Sequence, residues 1–356
     1  MASARATSVS GTGTRTGSLL VGIFGCTQPC GVTVLGLEVP GGLAVRGHDM
    51  RYRQLGESGL TVSVIGLGGN NFGSRIGLEE TRGVVDAAID CGVTLIDTAD
   101  VYGNRGGSEE LLGQVLAGRR EYVVLATKFG MDMGEGTVAR GSRRYIRRAV
   151  EASLHRLQTD YIDLYQYHAP DGLTPLEETL ATLDDLVTEG KVRYIGSSNF
   201  DGWQIADAEW IARTQHQARF VSAQNHYSLL HRDVEREVIP SCLNRGVGVL
   251  PYFPLANGLL TGKYRRGQAP PRGVRLAGRE SELTNDVFDK LEALERFGEK
   301  HRRSLLDVAI AGLAAMPGVA SVIAGATKPE QVRANAAAGE WELSPNELAE
   351  LRSIFI

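Results

Sequence analysis

From residue 62 onward, short apolar runs alternate with longer amphipathic segments, and this alternation restricts the possible folds of the chain most strongly. The pattern is expected where parallel strands are joined by crossover helices. Each run is continuously apolar because a parallel strand is buried on both faces. The predicted strands are centred on residues 64–67, 94–96, 123–125, 162–164, 192–195, 220–223, 247–250 and 321–323. Eight strand–helix units predict an α/β fold, a closed (β/α)8 TIM barrel.

Helical patterns separate the predicted strands, at residues 79–90, 109–116, 142–157, 176–187, 204–213, 234–244, 286–300 and 305–315. Local signals mark two of the helix ends. Ser108, followed by Glu109 and Glu110, offers a capping hydroxyl and first-turn carboxylates, while Gly92 offers a permissive stop to the helix before it. Because α/β barrels of this length fold as one unit, a single domain can accommodate the chain.

Composition and charge argue against several classes of protein. The formal net charge of −4 gives no basic field for the phosphates of a nucleic acid. The apolar stretch at 19–24 is far shorter than the ~20 residues that span a bilayer. Cys26, Cys30, Cys91 and Cys242 are too few and too scattered for a disulfide framework, and no second ligand pair completes a zinc site. We therefore expect a cytoplasmic protein with no nucleic-acid, membrane or metal partner.

Four residues that can hold or exchange protons stand at the ends of three successive apolar runs: Asp97 and Tyr102, then Lys128, then His168. Barrel enzymes build their active sites on the face formed by the carboxyl ends of the strands, so we expect these side chains to meet there. The set contains no nucleophile and no metal-ligand cluster, and it suits carbonyl reduction. Tyr102 would give a proton to the developing alkoxide, while the Lys128 ammonium stabilises the phenolate that remains.

A resemblance to a known family is carried by Asp97-Thr98-Ala99-x-x-Tyr102, Thr127-Lys128 and Tyr167-His168. In order and separation these segments are similar to the active-site segments of the aldo-keto reductases, and the resemblance extends from about Met50 to the end of the chain. It implies the reversible, NADPH-dependent reduction of a small aldehyde or ketone by hydride transfer. Asp97 would keep Lys128 charged and oriented, and His168 would hydrogen-bond the carbonyl oxygen.

The resemblance also implies a cofactor site. Ser198, Asn199 and Gln224 would bind the nicotinamide carboxamide, and Tyr252 would stack on the ring. Further contacts would come from Pro254, Leu255, Gly258, Lys263, Gly325, Thr327, Lys328, Gln331 and Asn335. The turn at 324–328 opens a helix whose amino end favours a phosphate group. Gln331 stands where an arginine is often found, so NADPH is favoured and NADH remains an alternative.

Other interpretations stay open. Asp97 could cap the next turn, and His168 could bond only to backbone. Two chemical competitors are disfavoured: a metal hydrolase would need several histidines or carboxylates where the other strand ends carry neutral groups, and a Schiff-base aldolase could use Lys128 but would leave the cofactor residues without a purpose. The alternative function is that of an NADPH-binding regulatory or sensing subunit with weak or no turnover. Phe72 and Trp203 are predicted to contact the substrate, and the sequence predicts no oligomeric state.

Residues 1–49 differ from the rest in composition. Gly, Ser, Thr and Val dominate, and no acidic residue precedes Glu38. The segment could be a targeting peptide, a flexible tail or the result of a start site assigned too far upstream. We favour the last, because the sequence from Met50 begins as aldo-keto reductases typically begin, with a short hairpin. The predicted organisation is therefore an extension at 1–49, disordered or wrongly included, and one barrel domain at 50–356.

Overall fold

The structure, a computed structural model, describes residues 50–136, 138–268 and 283–355. The predicted extension at 1–49 lies outside the described residues. No helix in the described part of the chain is long and apolar enough to cross a membrane. The cellular compartment stays a prediction.

Ten strands are present in these ranges, and eight of them form the predicted TIM barrel. The strands are β1 (Tyr52–Gln54), β2 (Thr61–Ser63), β3 (Ile65–Gly68), β4 (Leu95–Asp97), β5 (Val124–Phe129), β6 (Ile162–Tyr167), β7 (Val192–Ser198), β8 (Phe220–His226), β9 (Gly248–Tyr252) and β10 (Val322–Gly325). The order around the barrel is β10-β3-β4-β5-β6-β7-β8-β9, and every pair in this order is parallel. All eight strands predicted from the apolar runs are confirmed.

Backbone bonds between β9 and the approach to β10 close the barrel. The Val249 amide donates to the Gly318 carbonyl at 2.8 Å, and the Ala320 amide donates to the Val249 carbonyl at 3.0 Å. Val249 and Val319 form a parallel bridge at the same point. The first and last barrel strands in this order are therefore joined, although not by a long ladder.

Ten α-helices surround and extend the described barrel. They are α1 (Leu78–Asp90), α2 (Tyr102–Val115), α3 (Arg143–Leu157), α4 (Leu176–Thr188), α5 (Gly202–Thr214), α6 (Val238–Arg245), α7 (Asn285–Lys300), α8 (Leu305–Ala314), α9 (Pro329–Ala338) and α10 (Pro345–Ser353). One apolar cluster fills the space between the strands and these helices. A second, smaller cluster fills the inside of the barrel.

The amino-terminal hairpin formed by β1 and β2 contributes to that inner cluster. Its Leu55 and Val62 are fully buried and pack with the inward-facing residues of the barrel strands. Arg53 bonds the hairpin to the segment between α8 and β10, because its guanidinium donates to the carbonyls of Ala314 and Val319 at 2.7 Å each. The hairpin predicted after Met50 is therefore an integral part of the barrel.

The predicted cap at Ser108 is wrong. α2 contains four residues with left-handed φ angles, at 103–106, so its regular part begins only after Gly106. Ser108 lies on the buried face, where its hydroxyl donates to the Gly69 carbonyl at 2.9 Å and bonds the Thr98 hydroxyl at 2.7 Å. Glu109 is also buried and pairs with Arg156 at 2.7 Å. Both side chains turn toward the barrel instead of toward the helix terminus.

The other predicted helix end is confirmed. Gly92 follows α1 with a φ of +74°, a conformation that glycine adopts without steric cost, and its amide donates to the Ile89 carbonyl at 2.9 Å.

Candidate active site

A cavity of about 670 Å³ opens where the carboxyl ends of the barrel strands meet. The last residues of five strands line it, Gly68, Asp97, Ser198, Tyr252 and Gly325, together with Gln224 near the end of β8. The loops that follow those strands complete the wall. The position agrees with the face on which TIM barrels build their active sites.

Asp97 and Lys128 form a buried ion pair at the base of this cavity. Asp97 is the last residue of β4, and Lys128 is the last but one of the adjacent strand β5. The Lys128 Nζ lies 2.6 Å from the Asp97 Oδ2. The ammonium also donates to the Thr98 carbonyl at 2.8 Å. Burial opposes the charge of Lys128, but Asp97 and Tyr102 outweigh burial and raise the Lys128 pKa. Lys128 therefore keeps its charge at neutral pH.

The second oxygen of Asp97 accepts two amide hydrogen bonds. Gln224 Nε2 donates to Asp97 Oδ1 at 2.8 Å, and Gln166 Nε2 donates to the same oxygen at 3.1 Å. Gln166 was not among the residues predicted from the sequence. Its signal was a single amide in the carboxyl-terminal half of β6, between two tyrosines and two residues before His168, thus on the same face of the strand.

Tyr102 and His168 face one another across the cavity. Their ring centroids are 5.8 Å apart with an edge-to-face angle of 83°, and the Lys128 ammonium lies 5.0 Å from the centre of the Tyr102 ring. Burial raises the pKa of Tyr102 above its ordinary value, and the nearby Lys128 only partly opposes this rise. From the sequence, only the effect of Lys128 on the Tyr102 pKa could be expected. The structure adds that burial of the phenol outweighs it.

His168 is neutral at physiological pH. Burial, assisted by the charge of Lys128, lowers the pKa of its imidazole to about 3. Its backbone amide donates to the Phe129 carbonyl at 2.8 Å, and its Nδ1 has no hydrogen-bond partner among the described residues. A neutral imidazole can donate one ring N–H to a carbonyl oxygen.

Asn199 connects three elements of the site. It adopts a left-handed φ of +57°, which asparagine tolerates better than most residues. Its side-chain amide donates to the His168 carbonyl at 2.9 Å, and its Oδ1 accepts the Tyr252 hydroxyl at 2.8 Å. Ser198 beside it donates to the Gln224 backbone carbonyl at 2.8 Å. The residues predicted to hold a carboxamide and a stacked ring are therefore neighbours.

Most of the predicted cofactor residues line the cavity: Ser198, Asn199, Gln224, Tyr252, Pro254, Leu255, Gly258, Lys263, Gly325, Thr327, Gln331 and Asn335. Lys328 is not in the lining, although it stands directly before α9 as its N-cap residue. At the same end, Gln331 Oε1 accepts the Thr327 backbone amide at 2.8 Å. A side chain at Gly325 would reach 3.2 Å from Asn71 Nδ2, so a residue without Cβ keeps this groove open.

The two residues predicted to contact the substrate lie elsewhere. Phe72 is fully buried, Trp203 is 62% exposed, and neither lines the cavity. As substrate contacts they stay predictions. The wall also includes Arg75 and Met131, which were not predicted from the sequence. Their positions in loops, whose course depends on tertiary contacts, gave no periodic signal.

Comparisons with known proteins agree with this geometry. A model of the Aldo/keto reductase family matches residues 64–356. The chain is 39% identical over 319 residues to the uncharacterized oxidoreductase YrpG of Bacillus subtilis, a match that covers 86% of this chain and 96% of that protein. A probable voltage-gated potassium channel subunit beta of Arabidopsis thaliana is 36% identical over 299 residues, covering 80% and 90%. L-glyceraldehyde 3-phosphate reductase of Escherichia coli is 32% identical over 318 residues, covering 85% and 92%.

Proposed function

The chain belongs to the aldo/keto reductase family, and we propose that it reduces a small aldehyde or ketone to the alcohol with NADPH, with Tyr102 as proton donor. Family membership makes it an oxidoreductase that uses a nicotinamide cofactor and acts on a carbonyl compound. The proposal rests above all on one observation. The Lys128 ammonium lies between the Asp97 carboxylate, at 2.6 Å, and the Tyr102 ring, at 5.0 Å.

Tyr102 is suited to deliver a proton during the reaction. Its raised pKa keeps the phenol protonated until a stronger base, the developing alkoxide, forms beside it. The phenolate that remains is stabilised by Lys128, whose own charge is maintained by Asp97. The nicotinamide, when bound, supplies the hydride. Each side chain thus acts on charge that develops in the transition state, where such stabilisation accelerates the reaction.

His168 orients the carbonyl in this mechanism. Because its imidazole is neutral, it does not compete with Tyr102 as an acid. One ring N–H can instead hydrogen-bond the carbonyl oxygen, on the opposite side from the phenol. The edge-to-face arrangement of the two rings, 5.8 Å apart, leaves both polar groups facing the same cavity.

The cavity residues fit a dinucleotide. Ser198, Asn199 and Gln224 would hold the carboxamide, and Tyr252 would support the ring. The amino end of α9, with Thr327 and Asn335 in the cavity wall, would take the adenosine phosphate end. Lys263 adds a positive charge to the same wall, as an anion requires. We propose NADPH over NADH although Gln331 brings no charge to this end.

A second candidate function is an NADPH-binding regulatory or sensing subunit. The observation that favours it is the 36% identity to a protein named as a probable potassium channel subunit beta. The cluster of Asp97, Tyr102, Lys128 and His168 favours turnover, but a sensing subunit could retain it. Only a rate measurement separates the two functions.

The deciding experiment follows NADPH oxidation by absorbance with an activated aromatic aldehyde, 4-nitrobenzaldehyde, and repeats the assay with NADH. The proposal expects multiple turnovers, faster with NADPH than with NADH. Tight NADPH binding without oxidation of the cofactor by this or other reactive carbonyls would contradict the reductase proposal and support the sensing subunit.

A further inference from the structure

Gln166 is a fully buried amide that joins the two halves of the site. Its Nε2 donates to Asp97 Oδ1 at 3.1 Å, and its Oε1 accepts from Gln224 Nε2 at 3.3 Å. The carboxylate can only accept, so it fixes the orientation of both amides. Gln166 therefore connects Asp97, which belongs to the proton-donating half, with Gln224, which belongs to the proposed cofactor half.

Gly196 makes this connection possible. Gln166 lies on β6 and Gln224 on β8, and Gly196 of the intervening β7 is the register partner of Gln166. A Cβ at position 196 would come within 3.2 Å of Gln166 Cγ and would collide with the Ser222 hydroxyl. The glycine leaves the space through which the side chain of Gln166 reaches Gln224.

Gln166 does not itself line the cavity, whereas Gln224 does. Both hydrogens of the Gln224 amide nitrogen are used inside the protein, on Asp97 and on Gln166. The Gln224 Oε1 accepts no hydrogen bond from the described residues. A carboxamide N–H in the cavity would find this oxygen as its acceptor.

We propose that Gln166 is a positioning residue that couples occupation of the carboxamide position at Gln224 to the proton held by Tyr102, through Asp97 and Lys128. This inference rests on the proposed function. A donor bound to Gln224 Oε1 polarises the Gln224 amide and strengthens the hydrogen bond from its Nε2 to Asp97 Oδ1. Gln166 Nε2 donates to the same oxygen of Asp97. Asp97 then binds Lys128 less tightly, so more of the ammonium's charge acts on the phenolate of Tyr102.

The charged and titratable groups around Tyr102 come from several elements. Lys128 and Asp97 act from β5 and β4, Asp100 from the turn before α2, His168 from the position after β6, and Tyr252 from β9. A substitution at Gln166 removes none of these groups, and of them only Asp97 bonds to Gln166. A changed response of Tyr102 in such a variant therefore reports on the hydrogen bonds of Gln166.

The test measures ionisation of Tyr102 directly, as the ultraviolet tyrosinate absorbance of the full chain minus that of its Tyr102→Phe variant, with and without NADPH. The reduced nicotinamide ring carries no charge, so a direct field effect on Tyr102 is small. In the wild type, NADPH should lower the midpoint of ionisation by about one pH unit. In Gln166→Met, which keeps length and volume but removes one donor to Asp97 and one anchor of the Gln224 amide, this displacement should fall by about half or more, while the Kd for NADPH changes less than about fivefold.

Asn225→Leu provides the matched control. Asn225 is a buried amide on β8, next to Gln224 in sequence, but it donates to the Phe200 carbonyl and does not contact Asp97. The control should retain the full displacement. An equal displacement in wild type and Gln166→Met would overturn the coupling and leave Gln166 with a structural role only.

A second measurement needs no variant at position 166. By linkage, a cofactor that lowers the Tyr102 midpoint must release protons on binding in that pH range. Calorimetry in buffers of different ionisation enthalpy counts these protons. The absence of proton release in a chain that binds and oxidises NADPH would overturn the coupling alone. Proton release without any carbonyl reduction would support the coupling and contradict the proposed function, and failure to bind NADPH would overturn both.

Discussion

Lys128 and Tyr102 meet at the base of the cavity, with the ammonium 5.0 Å from the centre of the phenol ring and no solvent exposure of the lysine. Removing the Tyr102 hydroxyl while keeping the ring leaves this contact in place. Tyr102→Phe should therefore bind NADPH as the wild type does, while aldehyde reduction falls about 100-fold or more, because general acid catalysis is lost.

Fluorescence titration with NADPH and steady-state rates check both parts of this prediction. Tyr165→Phe is the matched control, since Tyr165 is fully buried on β6 and its hydroxyl has no partner among the described residues. It should keep wild-type turnover. Equal rates in Tyr102→Phe and the control would remove Tyr102 from its proposed role.

His168 should not appear in the pH profile at its ordinary position. Its pKa, lowered to about 3 mainly by burial, leaves the imidazole neutral throughout the range in which the protein is assayed. The plot of kcat/KM against pH should therefore show no ionisation near pH 6.5, the ordinary value for histidine. If kcat/KM does change near pH 6.5, and this change disappears in His168→Gln, a charged imidazole takes part in the reaction.

Asp100 should make stability depend on pH. It is buried beside Glu109, and these two effects, burial first, raise its pKa from 3.8 to about 8. Because the folded-state pKa is the higher one, the stability associated with the neutral carboxyl is complete below the unfolded value and is lost as the pH rises toward 8. Asp100→Asn removes this loss.

The free energy of unfolding, measured in urea, should therefore rise in Asp100→Asn relative to the wild type as the pH increases from 4 to 8. The difference should grow by an amount on the order of a few kcal/mol. Asp207→Asn, on the exposed side of α5, is the matched control for the same chemical change at the surface. A constant difference for Asp100→Asn would indicate that Asp100 ionises normally in the fold.

Cofactor preference should respond to charge at position 331. Gln331 now accepts the Thr327 amide at 2.8 Å and contributes no charge at the amino end of α9. Gln331→Arg would add a cation where the 2′-phosphate of NADPH is expected, so the ratio of NADPH to NADH affinity should rise about tenfold. Gln331→Met, which loses the same hydrogen bond without adding charge, is the control. Equal gains for both cofactors in Gln331→Arg would place the phosphate elsewhere.

Removal of residues 1–49 should leave folding and turnover unchanged. The described fold begins with the hairpin, in which Arg53 bonds the carbonyls of Ala314 and Val319. A longer truncation that also removes Leu55 would take a fully buried side chain from inside the barrel and should lower the melting temperature by several degrees. Loss of folding in the shorter truncation would show that the extension is part of the domain.

The sequence was most informative where structure follows from local pattern. Eight apolar runs identified all eight barrel strands, since two-sided burial leaves a continuous apolar signal. The ends of those strands identified Asp97, Tyr102, Lys128 and His168 as neighbours, because parallel strands bring their carboxyl ends together. Here the topology was enough to predict the arrangement.

The sequence was least informative where a side chain has several possible hydrogen-bond partners. Ser108 had the spacing of a helix cap, yet the buried face of α2 turned its hydroxyl toward Gly69. Gln166 acquires its bonds only after the barrel closes and the glycine at 196 leaves room for it. The pKa of Tyr102 likewise depends on how deeply the finished fold buries it.

The barrel closes between β9 and β10 through the bonds of Val249 to Gly318 and Ala320, and the cavity lies across this seam. Tyr252 ends one of the two strands and Gly325 ends the other. A dinucleotide that contacts both residues would connect the two strands across this short seam, and it would slow local opening there. The lifetime of the protein against proteolysis would then follow the cell's supply of its cofactor.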